Sequence, residues 1–191
     1  PDGTMLATRH ESSVVLLDCT NWQVLDTLQL PSAVIHTEDT FKPLESVRAL
    51  KYSPDGKLLV ATARAGLIIW NTASRERTFL PTESALSTMA FMPDSTHLAV
   101  RSGLYRVELW DLAAKKKVRT FPAKESCFSV AISPQGQWLA AGAINGHVEL
   151  WDLDTGDDQS VWTHQAHLSC LPALAFSPDG RRLASGSADG T

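Results

Sequence analysis

One short phrase returns along this chain at a nearly constant distance. Ser53-Pro54-Asp55-Gly56 recurs intact as Ser177-Pro178-Asp179-Gly180, with two looser copies between them, Met92-Pro93-Asp94-Ser95 and Ser133-Pro134-Gln135-Gly136. Pro1-Asp2-Gly3 is a fifth copy without its serine. The steps from proline to proline are 53, 39, 41 and 44 residues. A second marker travels in phase with the first. Trp70-Asn71, Trp110-Asp111 and Trp151-Asp152 fall 16 or 17 residues after the repeat proline, and Leu17-Asp18 lies 16 after Pro1. Self-similarity at such a period marks a repeat architecture, in which no single repeat buries its apolar face alone.

Each period reads as short strands separated by turns. In the recurring phrase, proline presets φ, aspartate bonds back to the backbone and glycine accepts positive φ, so the phrase is a reverse turn. Apolar runs precede it at 47–52, 86–91, 127–132 and 171–176. Small apolar runs follow at 57–63, 97–101, 138–143 and 182–187. Asn145-Gly146 and Asp189-Gly190 are favoured tight-hairpin residues. Third strands are expected at 66–70, 106–110 and 147–151, each ending in tryptophan, and fourth strands at 24–30, 77–80, 117–121 and 160–163. Four antiparallel strands per period of about 41 residues make one propeller blade. No window carries a helical apolar period. The expectation is an all-β propeller with crowded, small-residue second strands and tryptophans filling the wider space between blades.

These residues resemble a known family. Phe176 to Thr191 looks like the core of a WD-repeat, and Val148-Glu149-Leu150-Trp151-Asp152-Leu153 like the end of one. The resemblance implies a β-propeller, usually of seven blades. It also implies a hydrogen-bonded network within a blade, made by a histidine, a second-strand serine or threonine, the hairpin aspartate and the tryptophan. Carried over, it assigns structural roles to Trp70, Trp110, Trp151, Asp111, Asp152, His167 and Asp189, with Ser187 or Ser185 as the hydroxyl. Thr82 and Ala123 stand at the histidine position of other periods and Asn145 replaces the aspartate, so those blades are expected to rely mainly on apolar packing.

Seven such periods need roughly 290 residues, against 191 here. Three whole blades are expected at about 44–80, 85–121 and 126–163, flanked by partial periods at 1–30 and 171–191. The expectation is one propeller domain over 1–191, an open arc of about four to five blades with the remainder of its propeller missing. Its unpaired strand edges would promote association of the isolated piece.

Seventeen basic against 21 acidic residues leave a net charge of −4. That balance offers no basic field for a phosphate backbone, and no apolar run reaches the roughly 18 residues of a membrane helix. Neither a nucleic acid nor a membrane is an expected partner, and the expected location is cytoplasmic. Cys19, Cys127 and Cys170 lie far apart with no CxxC pair, which argues against a disulfide framework or zinc ribbon. Cys127 and Cys170 read as small buried hydrophobes, with no base placed to activate them. The sequence contains no nucleophile elbow, zinc-protease helix or phosphate loop. No catalytic residue, cofactor or metal is expected.

Four features are weighed as sites. His164 and His167 have a metal-like spacing, but span a strand-to-loop connection. Residues 152–158 are oxygen-rich yet lack the twelfth-position glutamate of a calcium loop, and read as a solvated turn. Lys115-Lys116-Lys117 with Arg119 reads as a hairpin tip that protects an outer edge. The insertion at 31–45 stretches the first period; it is a tolerated surface loop on the simpler reading and a binding loop on the other.

By the resemblance, the loops joining fourth to first strands and second to third strands gather on one face, which in the family docks a peptide or protein. Candidate partner-binding residues there are His36, Phe41, Arg64, Glu83, Tyr105, Glu125 and Asn145. The leading expectation is a non-catalytic protein-interaction scaffold. The alternative is a regulatory or sensory propeller attached to a kinase or NTPase domain outside this chain.

Overall fold

In the computed structural model the described residues are 2–10, 13–29 and 47–191. Among them all regular structure is β, in five antiparallel sheets of sequence-adjacent strands. A three-stranded sheet holds β1 (Met5–His10), β2 (Ser13–Asp18) and β3 (Val24–Gln29). The next holds β4 (Ala49–Tyr52), β5 (Leu58–Ala63), β6 (Gly66–Asn71) and β7 (Arg77–Pro81). Two more four-stranded sheets follow: β8 (Leu86–Phe91), β9 (His97–Ser102), β10 (Arg106–Asp111) and β11 (Lys116–Pro122), then β12 (Cys127–Ile132), β13 (Trp138–Ala143), β14 (His147–Asp152) and β15 (Trp162–Gln165). A pair, β16 (Ala173–Phe176) and β17 (Leu183–Gly186), ends the order.

In the sheets that begin with β4 and β16 the recurring turn closes the first two strands by the same bonds. Ser53 Oγ donates to Asp55 Oδ1 at 2.7 Å and accepts the Leu58 N–H at 2.9 Å, while the Gly56 N–H reaches the Ser53 carbonyl at 2.9 Å. Ser177, Asp179, Gly180 and Arg182 repeat this pattern. Gly56 and Gly180 sit at φ of 74° and 70°, the left-handed region that glycine enters at least cost. Where aspartate gives way to Gln135, Ser133 Oγ still accepts the Trp138 N–H at 2.9 Å. In the looser copy Asp94 Oδ1 takes the N–H groups of Thr96 and His97 instead.

The residue after each third-strand marker makes the next turn. The side-chain oxygens of Asp18, Asn71, Asp111 and Asp152 accept main-chain N–H groups two or three residues ahead, from Thr20, Ala73, Ala114 and Asp154. An aspartate or asparagine that bonds forward in this way is a turn former.

Register puts each marker opposite a leucine of the second strand. Leu59 faces Trp70, Leu98 faces Trp110 and Leu139 faces Trp151. The first sheet places Leu6 against Leu17 at the same point. Trp70, Trp110 and Trp151 are 2%, 8% and 0% exposed. Trp70 belongs to a cluster with Val14, Leu16 and Leu28 of the preceding sheet. Trp151 does likewise with Leu109 and Phe121, the Phe121 ring lying 6.2 Å from its own.

One strand lies apart from its expected place. The fourth strand of its sheet spans Trp162–Gln165 rather than 160–163. The turn before it is held by Arg119 of β11, whose guanidinium donates to Asp158 Oδ1, the Leu153 carbonyl and the Asp157 carbonyl at 2.8–2.9 Å. The described chain forms two compact units, Pro1–Ser87 and Thr88–Thr191. Repeats touch only their neighbours, so contacts in such an array group locally.

Trp110→Ala and Trp151→Ala are each expected to lower stability by about 3–5 kcal/mol, the loss for a buried large aromatic. Denaturant unfolding measures this, and a change below about 1 kcal/mol would mean that the indole is not packed as described.

Candidate functional site

The loops at one end of the strands are tied to each other by main-chain hydrogen bonds. In the second unit the Ala123 N–H donates to the Tyr105 carbonyl at 2.9 Å and the Cys127 N–H to the Leu104 carbonyl at 2.8 Å. The Ile144 N–H donates to Ser126, and the N–H groups of Ala166 and His167 to Gly146, at 2.9–3.1 Å. Leu171 reaches Ala143 and Ala188 reaches Cys170 in the same way. Each hairpin between second and third strands is thus joined to a loop between sheets, and each loop to the next hairpin. Gly146 is required at one such joint, since a Cβ there would stand 2.0 Å from the His167 carbonyl oxygen. In the first unit the Thr82 N–H donates to the Ala65 carbonyl at 3.0 Å.

The structure places the candidate partner-binding residues along these loops. Arg64 and Glu83 are exposed on the adjoining hairpin and loop of the first unit. Tyr105 is exposed, whereas Glu125 and Asn145 are half-buried, in the second. His36 and Phe41, with the rest of the 31–45 insertion, lie outside the described residues. Three apolar residues on this run of loops are also exposed: Leu104, Ile144 and Leu168, the last 86% exposed. Leu168 also lines a shallow cleft of about 420 Å³ with Gln165, Ala166, His167, Asp189 and Thr191.

The network around His167 chooses between two serines. His167 Nε2 lies 2.8 Å from Ser185 Oγ, and Nδ1 lies 2.8 Å from Thr191 Oγ1 and 3.6 Å from Asp189 Oδ1. Ser187 instead donates to the Ser169 carbonyl at 3.2 Å and accepts the Asp189 N–H. Ser185 is therefore the partner of the histidine. Asp189 accepts from the Thr191 hydroxyl and, through Oδ2, from the Leu168 N–H. These bonds, the Thr191 hydroxyl first, hold its carboxyl well below the usual carboxylate range. The Ser53 and Ser177 hydroxyls hold Asp55 and Asp179 low in the same manner.

One repeat earlier the polar tie is not lost, contrary to the expectation of mainly apolar packing. With Asn145 in place of the aspartate, Glu149 reaches from β14. Its Oε1 accepts the Lys124 N–H at 2.9 Å and the Glu125 N–H at 3.2 Å. A carboxylate from the third strand here does for the loop what Asp189 does for Leu168. Sequence reasoning passed over Glu149 and its counterpart Glu108. The signal was present as an acidic residue two places before Trp110 and Trp151, on the same strand face, where Trp70 has Ile68.

The other weighed features have structural occupations. His164 stacks on Trp162 with ring centroids 5.5 Å apart, while His167 is engaged as above. The 152–158 oxygens and Arg119 bind one another, and the guanidinium also lies 4.7 Å over the Phe121 ring. Lys117 pairs with Glu108 at 3.3 Å. Among the described residues there is no cluster of three or more metal-ligating side chains. Among them, too, no helix is long and apolar enough to cross a membrane.

A family model described as "Domain of unknown function (DUF7165)" matches residues 42–190. The chain is 33% identical over 116 residues to "Protein LST8 homolog" of Drosophila pseudoobscura pseudoobscura, covering 57% of this chain and 37% of that protein. It is 32% identical over 126 residues to "WD repeat-containing protein SL1-17" of Schistosoma mansoni, covering 64% and 41%. To "Protein groucho" of Drosophila melanogaster it is 28% identical over 192 residues, 99% of this chain and 25% of that one. It thus spans between a quarter and about two fifths of these relatives. A chain in the "Crystal Structure of Mitotic Checkpoint Complex" superposes with a TM-score of 0.79 at 20% identity, over 96% of this chain and 53% of that one, a likeness of fold.

Two outcomes follow from the site's chemistry. Asp189 is depressed in the fold, so its contribution is present above the ordinary carboxylate pKa and is lost as pH falls below about 4. Protection of the Leu168 N–H against hydrogen exchange is expected to fall over that acid range, and Asp189→Asn to flatten the dependence. Cys127 is pushed up to about 12, by burial first and then by the Glu149 carboxylate. Iodoacetamide at pH 8 is expected to label half-buried Cys19 and Cys170 and to spare Cys127 until the chain unfolds, as peptide mass spectrometry would show.

Proposed function

The chain belongs to the family of the domain of unknown function DUF7165 and is a WD-repeat β-propeller chain, and on that premise we propose that it is a non-catalytic scaffold binding a protein or peptide partner on its tied loops. The observation that carries this reading is the run of main-chain bonds from the Leu104-Tyr105 hairpin to Cys170. Those bonds hold exposed side chains on a frame with little freedom to lose. Binding then costs less ordering entropy than it would on independent loops.

The exposed side chains suit a partner that brings apolar or aromatic groups. Tyrosine is among the residue types that dominate binding energy, and Leu104 and Ile144 add exposed apolar surface on the same run of tied loops. Half-buried Glu125 and Asn145 add polar groups among them. Arg64 and Glu83 offer charge of both signs in the first unit.

The test compares the natural chain with a Leu104→Ala, Tyr105→Ala, Ile144→Ala triple variant. Cross-linking and mass spectrometry identify bound proteins, and calorimetry with the purified partner gives affinity. The triple variant is expected to keep its thermal transition and weaken binding by at least about 2 kcal/mol, roughly thirtyfold. An unchanged affinity would place the binding surface elsewhere.

A further inference from the structure

Two glutamates at the same place in neighbouring repeats do different things. Glu108 and Glu149 each precede the marker tryptophan by two residues, and each is buried. In β10, Glu108 Oε2 accepts from the Trp110 indole N–H at 3.0 Å, while Oε1 lies 3.3 Å from Lys117 Nζ. In β14 the carboxylate is engaged with the loop instead, through the N–H groups of Lys124 and Glu125. Glu149 Oε2 and the Trp151 indole Nε1 are both buried, and neither has a hydrogen-bond partner among the described residues. His147 Nδ1, two places earlier on the same strand face, is likewise without one. At that position the preceding repeat has exposed Arg106.

A buried indole N–H and a buried carboxylate oxygen left unpaired each carry a desolvation cost. Glu149 and Trp151 stand two places apart on one strand face, the sequence spacing at which Glu108 and Trp110 bond in β10. We propose that Glu149 is a two-position latch on the 122–126 loop. In the closed position it holds the Lys124 and Glu125 N–H groups. In the open position it takes the Trp151 indole N–H, as Glu108 takes that of Trp110, and lets the two loop residues go.

Each position leaves something else unpaired: the indole in the closed one, two main-chain N–H groups in the open one, where release gives them water. That opposition keeps the two arrangements close in free energy. The moving part is short. Ala123 stays bonded to Tyr105, Ser126 to Ile144 and Cys127 to Leu104, so only Lys124 and Glu125 are freed between fixed points. The latch stands whether or not the loops bind a partner; if they do, it gives Glu125 two presentations on that surface.

Relaxation dispersion on the ¹⁵N-labelled chain tests this directly. The main-chain N–H groups of Lys124 and Glu125 and the indole N–H of Trp151 are expected to share one exchange rate, with the Trp110 indole flat. Trp151→Phe removes the open position's donor and is expected to slow hydrogen exchange at Lys124 and Glu125 by about tenfold, the effect of one hydrogen bond. Flat profiles at all four groups, unequal rates for the loop and the Trp151 indole, or loop exchange unchanged in the variant would overturn the latch. The natural-chain measurement decides the matter by itself if the variant does not fold.

Discussion

A sheet of four short strands has two faces and cannot bury either by itself. In this chain Trp70 and Trp151 supply the solution: a large flat ring at the end of a third strand, set opposite a leucine of the second and clustered with the sheet before it. Trp151 between its own Leu139 and the Leu109 and Phe121 of the preceding sheet shows the arrangement at its fullest. Burial of the ring drives the packing, and much of the local chemistry answers to it. A tryptophan placed in that gap brings an N–H with it, and Glu108 supplies an acceptor from the same strand face. The acceptor is itself a buried charge, and Lys117 from the next strand meets it. One apolar requirement has drawn in a chain of polar ones.

Much of this was legible because the turns announce themselves. Ser53-Pro54-Asp55-Gly56 and Ser177-Pro178-Asp179-Gly180 form the bonds their residue types predict, and each marker tryptophan falls on a buried third-strand end. Strands adjoining such turns, Trp138–Ala143 among them, lie where the pattern puts them. These features are local, fixed by residues a few places apart. The WD-repeat resemblance rests on the same local phrases.

What escaped the sequence depends on residues distant along the chain. Arg119 and the 153–158 turn are more than thirty positions apart, and their meeting holds the turn before the strand at Trp162. Ser185 and Ser187 are both hydroxyls near the right place, and only the position of the His167 ring tells them apart. Glu149 looks in sequence like one more alternating strand residue. Its part emerges only where the Lys124–Glu125 loop comes back across β14. An absent aspartate at Asn145 suggested a blade held mainly by apolar packing, whereas a polar tie is made there by Glu149.

The ties along the loops run through backbone atoms: Tyr105 to Ala123, Ser126 to Ile144, Gly146 to His167. At Gly146 the joint depends on which residue occupies it. Ala123, Cys127, Ala143 and Leu171 are buried along that seam, whereas Leu104, Tyr105, Ile144 and Leu168 stand exposed beside it. Because the backbone carries the joints, the exposed positions among them can change in divergence while the contour persists, leaving the architecture underneath untouched.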